Sequence, residues 1–323
     1  MTWRVGVGTG AGTCGELVQG VLSDGRSFHV TCPINKGSRV ALALRASRQW
    51  RFEGVPVGRR KLERAIRLTA ETLAGGPYEI NIEHSSELEV GKGLGSSTAD
   101  IMAGARATAS ALGLAMDEDG FAALAASIEV SDGSMYPEIV AFDGRAGVPI
   151  RRYDWWPQFV VVVVTPAVSI DTDSVDFTGQ ASLSAHYDRI VTDLDLAVVE
   201  RDGRAFARSA GESAHLNQSF VSNPWLEVLE RESERLGADG INVAHTGTCL
   251  GLLFLLPAAT DARAIEETNA VRRKASSAAR RLRAMLPDEL RVGLAETPVW
   301  REPCAGSLDV EADPLYQVPA PYI

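Results

Sequence analysis

Between Val90 and Asp100 the chain reads VGKGLGSSTAD, a run of glycines with one lysine and three consecutive hydroxyl residues set directly before an alanine-rich segment. No other stretch restricts the fold as much. Small residues let backbone amides close on an anion, and the first turn of a following helix adds N–H donors without intrahelical partners together with partial positive charge. Such a turn suits a phosphate group. A plainer reading competes: Ser97 and Asp100 fit an S-x-x-D capping box, in which the serine caps a helix and the glycines only turn the chain. Lys92 and the string Ser96, Ser97, Thr98 favour the anion, since a structural cap needs one hydroxyl and no cation. A Walker loop would read GxxxxGK[ST], which this segment does not, so that fold is excluded as its source.

With 323 residues the chain is long enough for two cores of ordinary size, and its texture divides near residue 157. We expect an N-terminal domain over 1–157, a C-terminal domain over 158–299 and a tail over 300–323. In the first part, runs such as WRVGV, SFHVTCPI and RVALALRA alternate with Gly, Ser and Pro, the pattern of a small sheet joined by turns. Residues 61–74 carry Leu62, Ala65, Ile66 and Leu73 at helical spacing, and YEINIEHS then alternates as a strand. From Ser97 the alanine-rich segment places Ile101, Ala105, Ala109 and Leu112 on one face and stops at Gly113, with a short helix to follow over 118–128. Beyond the boundary come a buried strand at 159–165, amphipathic helices near 183–200, 204–220 and 225–236, strand-like GINVAH and LGLLFLL, a helix over 261–285 and a last strand LRVGLAE. Two consecutive strands between helices imply an antiparallel α+β layer rather than a doubly wound parallel sheet. The tail, rich in Pro and acids, reads as an ordered wrap or a loose end.

Several classes fall away. Acids outnumber Lys and Arg by 42 to 32, and no dense basic stripe exists, which argues against nucleic acid as a partner. The longest apolar run, FVVVVV, is far below the roughly 20 residues that span a bilayer, and MTWRVGVGTG lacks a secretory apolar core. A cytoplasmic protein without a membrane partner is expected. Cys14, Cys32, Cys249 and Cys304 stand singly, so neither a disulfide framework nor a zinc site is suggested.

The string GKGLGSSTADIMAG resembles the phosphate-binding motif of the GHMP kinases, the superfamily of galactokinase, homoserine kinase and mevalonate kinase, with Thr98-Ala99 where GLGSSAA is usual. GTCGELVQG at 12–20 resembles the first motif of that superfamily and INVAHTGTCLGLLF at 241–254 the third. A dinucleotide-binding reading of Gly10, Gly12 and Gly15 as GxGxxG fails, because Gly20 and Ser23-Asp24-Gly25 interrupt the helix it needs and no ribose-binding acid follows. The resemblance covers about residues 4–295 and implies a two-lobed α+β fold, an N-terminal lobe like ribosomal protein S5 and a ferredoxin-like C-terminal lobe. Within the superfamily the wording TCGELVQG, GKG and STADI is most similar to the L-threonine kinases of cobalamin assembly, which make O-phospho-L-threonine. ATP and Mg²⁺ are the implied cofactors, a hydroxy amino acid the implied acceptor, and a homodimer a compatible assembly.

Phosphoryl transfer needs a cradle for the triphosphate, Mg²⁺ between phosphate oxygens, and a group that orients or deprotonates the acceptor hydroxyl. By resemblance the cradle is Gly91, Lys92, Gly93, Leu94, Gly95, Ser96, Ser97 and Thr98, joined by Thr246 and Gly247 of the third motif, with Ser97 and Glu129 as Mg²⁺ ligands. Asp132 is the expected base, beside Lys92 as catalytic cation; the competing role for Asp132 is an Asx bond that caps its own turn. Glu138 and Asp143 are fallback carboxylates. Glu16 suits an acceptor's ammonium group, against the alternative of an exposed first-turn helix glutamate. Gln19 and Asp132 complete the acceptor set, and Arg39, His215 and Asn217 are further candidates to line the pocket. His245 is a weaker candidate for phosphate, and His29, His84 and His186 show no metal-ligand spacing. The cations from Arg272 to Arg283 read as a solvated helical face. Two rival functions stay open: a kinase for homoserine or another small alcohol, and a nucleotide-binding sensor without catalysis.

Overall fold

Glycines at alternate positions explain why the first strand runs much further than its sequence suggests. The computed structural model describes residues 2–167, 179–246, 248–258 and 262–298. In it β1 (Arg4–Val21) and β2 (Ser27–Ala46) form one antiparallel hairpin, from Arg4 opposite Leu44 to Val21 opposite Ser27. The glycines expected to punctuate short strands therefore sit inside a single strand. Gly6, Gly8 and Gly10 share one face by the two-residue period of a strand, and α2 (Ser96–Leu112) lies flush on it. A Cβ on Gly6, Gly8 or Gly10 would come within 2.2 Å of the Ala107 carbonyl oxygen, 2.3 Å of the Ala107 amide and 2.0 Å of the Ala99 carbonyl oxygen respectively. The helix meets the strand with Ala99, Ala103, Ala107 and Ala111, one residue per turn.

The remaining sides of α2 are covered by α1 (Arg60–Ala74) and α3 (Glu118–Ala126), where Ile101, Ala105 and Ala109 pack with Ala65, Phe121 and Ala122. Its expected single apolar face is thus one of two. An alanine helix held between a sheet and other helices buries nearly its whole circumference, and this fixes the loop at its N-terminus.

β2 also pairs with β4 (Tyr78–Ser86), and β3 (Arg51–Glu53) joins β4 in the one parallel pairing among the described strands. β5 (Ile139–Asp143) and β6 (Val148–Tyr153) make a hairpin off β2. In the second half β7 (Phe159–Pro166) lies between β9 (Leu250–Leu255) and β10 (Leu290–Glu296), and β9 pairs with β8 (Gly240–Val243). These pairings are antiparallel, as the sequence implied. Val161 and Val163 of β7 face Tyr187 and Ile190 of α4 (Ser184–Glu200), while Val160, Val162 and Val164 face Ala275, Ala279 and Leu282 of α7 (Ala262–Met285). Both faces are covered, so FVVVVV shows no alternation.

α5 (Gly203–Asn217) and α6 (Leu226–Leu236) complete the second half. The sheet runs β10-β7-β9-β8-β1-β2-β4-β3, and the two halves join through a single residue pair, Glu16 opposite Val243. The boundary near residue 157 falls between β6 and β7, yet one core combines Cys14, Leu17 and Phe28 with Phe159, Tyr187 and Leu194. The tail, Cys304 included, lies outside the described residues; Cys14, Cys32 and Cys249 are buried free thiols. No helix among the described residues is long and apolar enough to cross a membrane.

Candidate active site

Gly91, Gly93 and Gly95 take φ values of +73°, +78° and +63°, a left-handed conformation that residues with a Cβ rarely adopt. The loop they form is fastened from behind by both halves of the chain. Leu94 O accepts from the Thr13 amide at 3.0 Å, Gly93 O from the Gly15 amide at 3.3 Å and Lys92 O from the Cys249 amide at 2.9 Å. The motifs at 12–20 and 241–254 thus hold the loop's carbonyls toward the body of the protein. α2 begins just after Gly95, which caps it without any side-chain hydrogen bond. Its first amides stay open to an anion. The capping-box alternative is overturned: Ser97 Oγ donates to Glu129 Oε2 at 2.7 Å, and Asp100 binds His84 Nε2 at 2.7 Å and the Arg59 guanidinium.

Glu129 is the hub of an oxygen-rich corner. Besides Ser97 it accepts from Thr98 Oγ1 at 3.4 Å and from the ammonium of Lys61. A hydroxyl and a carboxylate suit a hard cation that keeps its waters, and the lysine already there is a positive charge standing at that spot. The residues fit Mg²⁺.

Asp132 approaches the same loop from another side. A Cβ on Gly95 would lie 2.8 Å from Thr13 Oγ1 and 3.0 Å from Asp132 Oδ2, so this glycine lets the carboxylate reach the turn. The Asx bond is present, Oδ1 accepting from the Ser134 amide at 2.9 Å, while Oδ2 points to the loop. It keeps a narrow exposed edge. Burial pushes its carboxyl up to about 6 against the hydrogen bonds from Ser134, and the charge of Glu129 adds to the rise.

The residues expected on the acceptor side gather near Asp132, whose charge reaches Glu16. Glu16 is a strand residue at the seam, buried to 7% exposure, which rules out the exposed helical glutamate. Burial, then the charge of Asp132, raise its carboxyl well above the usual range, and its Oε2 has no partner. Gln19 uses Oε1 to hold His245 Nδ1 and leaves Nε2 unpaired. His245 packs on His29 with ring centroids 4.2 Å apart, and burial pushes His29 down to about 4 and His245 well below its usual value, so both rings are neutral near pH 7. Asn217 donates to Ala244 O at 3.3 Å and keeps a buried, partnerless Oδ1. A cleft of about 540 Å³ opens beside these groups, bordered by His29, His245, Gln180, Asp143 and Val130.

Other candidates sort plainly. The Lys92 side chain was expected on the phosphate; its ammonium is instead buried and donates to the Ala167 carbonyl after β7, since a buried cation must find an acceptor. His245 stands with Gln19 and His29. Thr246 is half-buried next to it, and Gly247 lies outside the described residues. His215 pairs with Glu230 at the surface, Glu138 with Arg152, and Arg39 sits opposite Thr9 and Ser85 in the sheet. Asp143 Oδ1 caps its own turn, accepting from the amides of Arg145 and Ala146 at 3.0 and 2.9 Å. On α7, Arg272, Lys274 and Arg283 bind Glu296, Gly237 O and Val292 O. Lys61 and Thr13 escaped the sequence reading, and His29 carried no role in it. Lys61 looked like any exposed residue of an amphipathic helix, and only the oddity of cations at a helix start marked it.

Two family models match, one described as the N-terminal domain of GHMP kinases over residues 60–136 and one as the C-terminal domain of GHMP kinases over 196–286. Among curated relatives, an L-threonine kinase of Salmonella typhimurium is 29% identical over 246 residues, 75% of this chain and 80% of that protein. An L-threonine kinase of Citrobacter freundii is 26% identical over 75% of this chain and 84% of its own length. Homoserine kinase from Cytophaga hutchinsonii superposes with a TM-score of 0.62 at 17% identity, over 93% of this chain and 95% of that one. The L. major mevalonate kinase in complex with R-mevalonate gives 0.63 at 14% identity over 92% and 96%. At such identities the solved structures speak for the fold alone.

Proposed function

The chain belongs to the GHMP kinases, and from that premise we propose that it transfers a phosphoryl group from ATP, with Mg²⁺, to the side-chain hydroxyl of L-threonine. The observation that carries this reading is the meeting of α2's open N-terminus, the Ser97–Glu129 corner and Asp132 Oδ2 at one turn of the loop. Transfer of a phosphoryl group needs positioning and charge stabilisation more than covalent help. The amides of α2 would hold the polyphosphate. Ser97 and Glu129 would hold Mg²⁺, which when bound neutralises charge on the phosphate oxygens. Asp132, fixed through Oδ1 by Ser134, turns Oδ2 to the loop, where it would take the acceptor's hydroxyl proton.

The unpaired buried groups behind His29 and His245, which border the cleft, suit an amino acid. Glu16 Oε2 lacks a partner, and an ammonium group placed against it would favour the ionised form and repay its burial. Gln19 Nε2 is a free donor for a carboxylate. The L-threonine kinases at 26–29% identity favour threonine over homoserine, a distinction worth only about 1–3 kcal/mol in a pocket. Cobalamin assembly is the pathway this product would serve.

Incubation with ATP, Mg²⁺ and a panel of L-threonine, L-serine, L-homoserine and L-allo-threonine tests the proposal, with products weighed by mass spectrometry. L-threonine is expected to give the highest kcat/KM. Absence of phosphorylated product from every member would end the kinase reading. Glu16→Gln is expected to raise the KM for the amino acid at least about tenfold and to leave that for ATP within about twofold, since a charged hydrogen bond is lost on one substrate only. Equal changes in both constants would remove Glu16 from the acceptor site.

A further inference from the structure

α1 begins with three cations, Arg59 at its N-cap and Arg60 and Lys61 in its first turn, and it has no side-chain cap. The positive end of a helix dipole disfavours cations, so this placement does nothing for α1 itself. Two of the three are tied instead to the region of the phosphate loop: Arg59 to the buried Asp100 of α2, Lys61 to Glu129. Lys61 is half in solvent, with 54% of its side chain exposed, and an ion pair of that kind adds little stability. It meets Glu129 at Oε2, the same oxygen that accepts from Ser97 Oγ at 2.7 Å. The other lysine nearby, Lys92, has its ammonium bound to Ala167 O. A half-exposed ammonium therefore stands at the start of α2, held on the same carboxylate oxygen as the Ser97 hydroxyl.

We propose that Lys61 is the cation that contacts the polyphosphate of a bound nucleoside di- or triphosphate, waiting on Glu129 until the nucleotide arrives. The inference rests on the kinase reading above. With a divalent cation at Glu129 the ammonium is repelled from that oxygen, and a polyphosphate seated on α2 offers it a new anion. The free protein thereby keeps the acid corner neutralised, and the loaded protein gains a charged contact to phosphate without rearranging its backbone.

Calorimetric binding of ADP and of adenosine, each with and without Mg²⁺, separates a phosphate contact from a general effect on the site. In Lys61→Ala the Kd for ADP is expected to rise about tenfold, the loss of one charge-assisted hydrogen bond, while adenosine binds as to the wild type. Lys61→Arg should restore most of the ADP affinity, and both variants should melt within about 1 °C of the parent, as befits a weak surface pair. ADP affinity within twofold of wild type in Lys61→Ala, or an equal loss for ADP and adenosine, would overturn the proposal and leave the kinase reading standing. A wild-type protein that binds neither ADP nor ATP would refute the kinase reading first.

Discussion

Replacing Asp132 by Asn is expected to make the protein more stable at pH 8 and nearly inactive. The carboxyl is raised from 3.8 to about 6, chiefly by burial, so its ionised form is less favourable in the fold than in the unfolded chain. For a raised acid, the stabilising contribution is complete below 3.8 and is lost as pH climbs through about 6, so at pH 8 the wild type carries the whole penalty. A shift of this size corresponds to at most about 3 kcal/mol, reduced by the water that reaches the exposed edge. Asn keeps the acceptor that Ser134 uses and has no charge to bury. Thermal melts of Asp132→Asn should therefore lie several degrees above the parent at pH 8, with the gap narrowing toward pH 4. Turnover should fall by about 10²–10⁴, the usual worth of a positioned general base. In the parent, kcat/KM should rise with pH through about 6, the pH at which Asp132 loses its proton. Unchanged turnover in Asp132→Asn would strip the residue of the base role whatever the melts show.

A single added methyl group should do more damage than any loss of a surface charge. In Gly10→Ala the new Cβ would sit 2.0 Å from the carbonyl oxygen of Ala99 and 2.7 Å from its carbon, both backbone atoms that no rotamer change can move aside. The first turn of α2 must shift, and Ser96, Ser97 and Thr98 shift with it. Overpacking of this kind costs about 3 kcal/mol or more when backbone must give way. A drop in Tm of about 6 °C or more is expected, together with loss of ADP binding. Gly211→Ala is the control. Its Cβ would find only Ile241 at 4.0 Å, and in the middle of α5 alanine should stabilise by about 0.5–1 kcal/mol. If Gly10→Ala melts with the parent and binds ADP normally, the strand's glycines are not what seats α2.

The loop was legible because its conformation is written locally. Gly91, Gly93 and Gly95 are needed where φ is positive, and the alanines after them announce a helix that can pack closely. The same local logic misled at the N-terminus, where Gly8 and Gly10, after the strand-like WRVGV that holds Gly6, looked like turn residues. Their spacing by two is equally that of one strand face, and only the helix lying on it decides between the two. Helix boundaries in the second half came within a few residues, since amphipathic periodicity survives wherever one side of an element meets solvent. α2 showed no such clean stripe, being covered all round.

The glycine loop before α2, the order of strands and helices, and the family they belong to were determined by the sequence itself, because backbone conformation and periodic burial follow from residues close together in the chain. Which charges meet was decided only by tertiary structure. Lys61 lies 68 residues from Glu129, His245 lies 226 from Gln19, and Lys92 turns from the loop to Ala167. The physical reason is that an ammonium or carboxylate takes its partner from whatever the packed core leaves within reach once water is excluded, and no spacing along the chain records that.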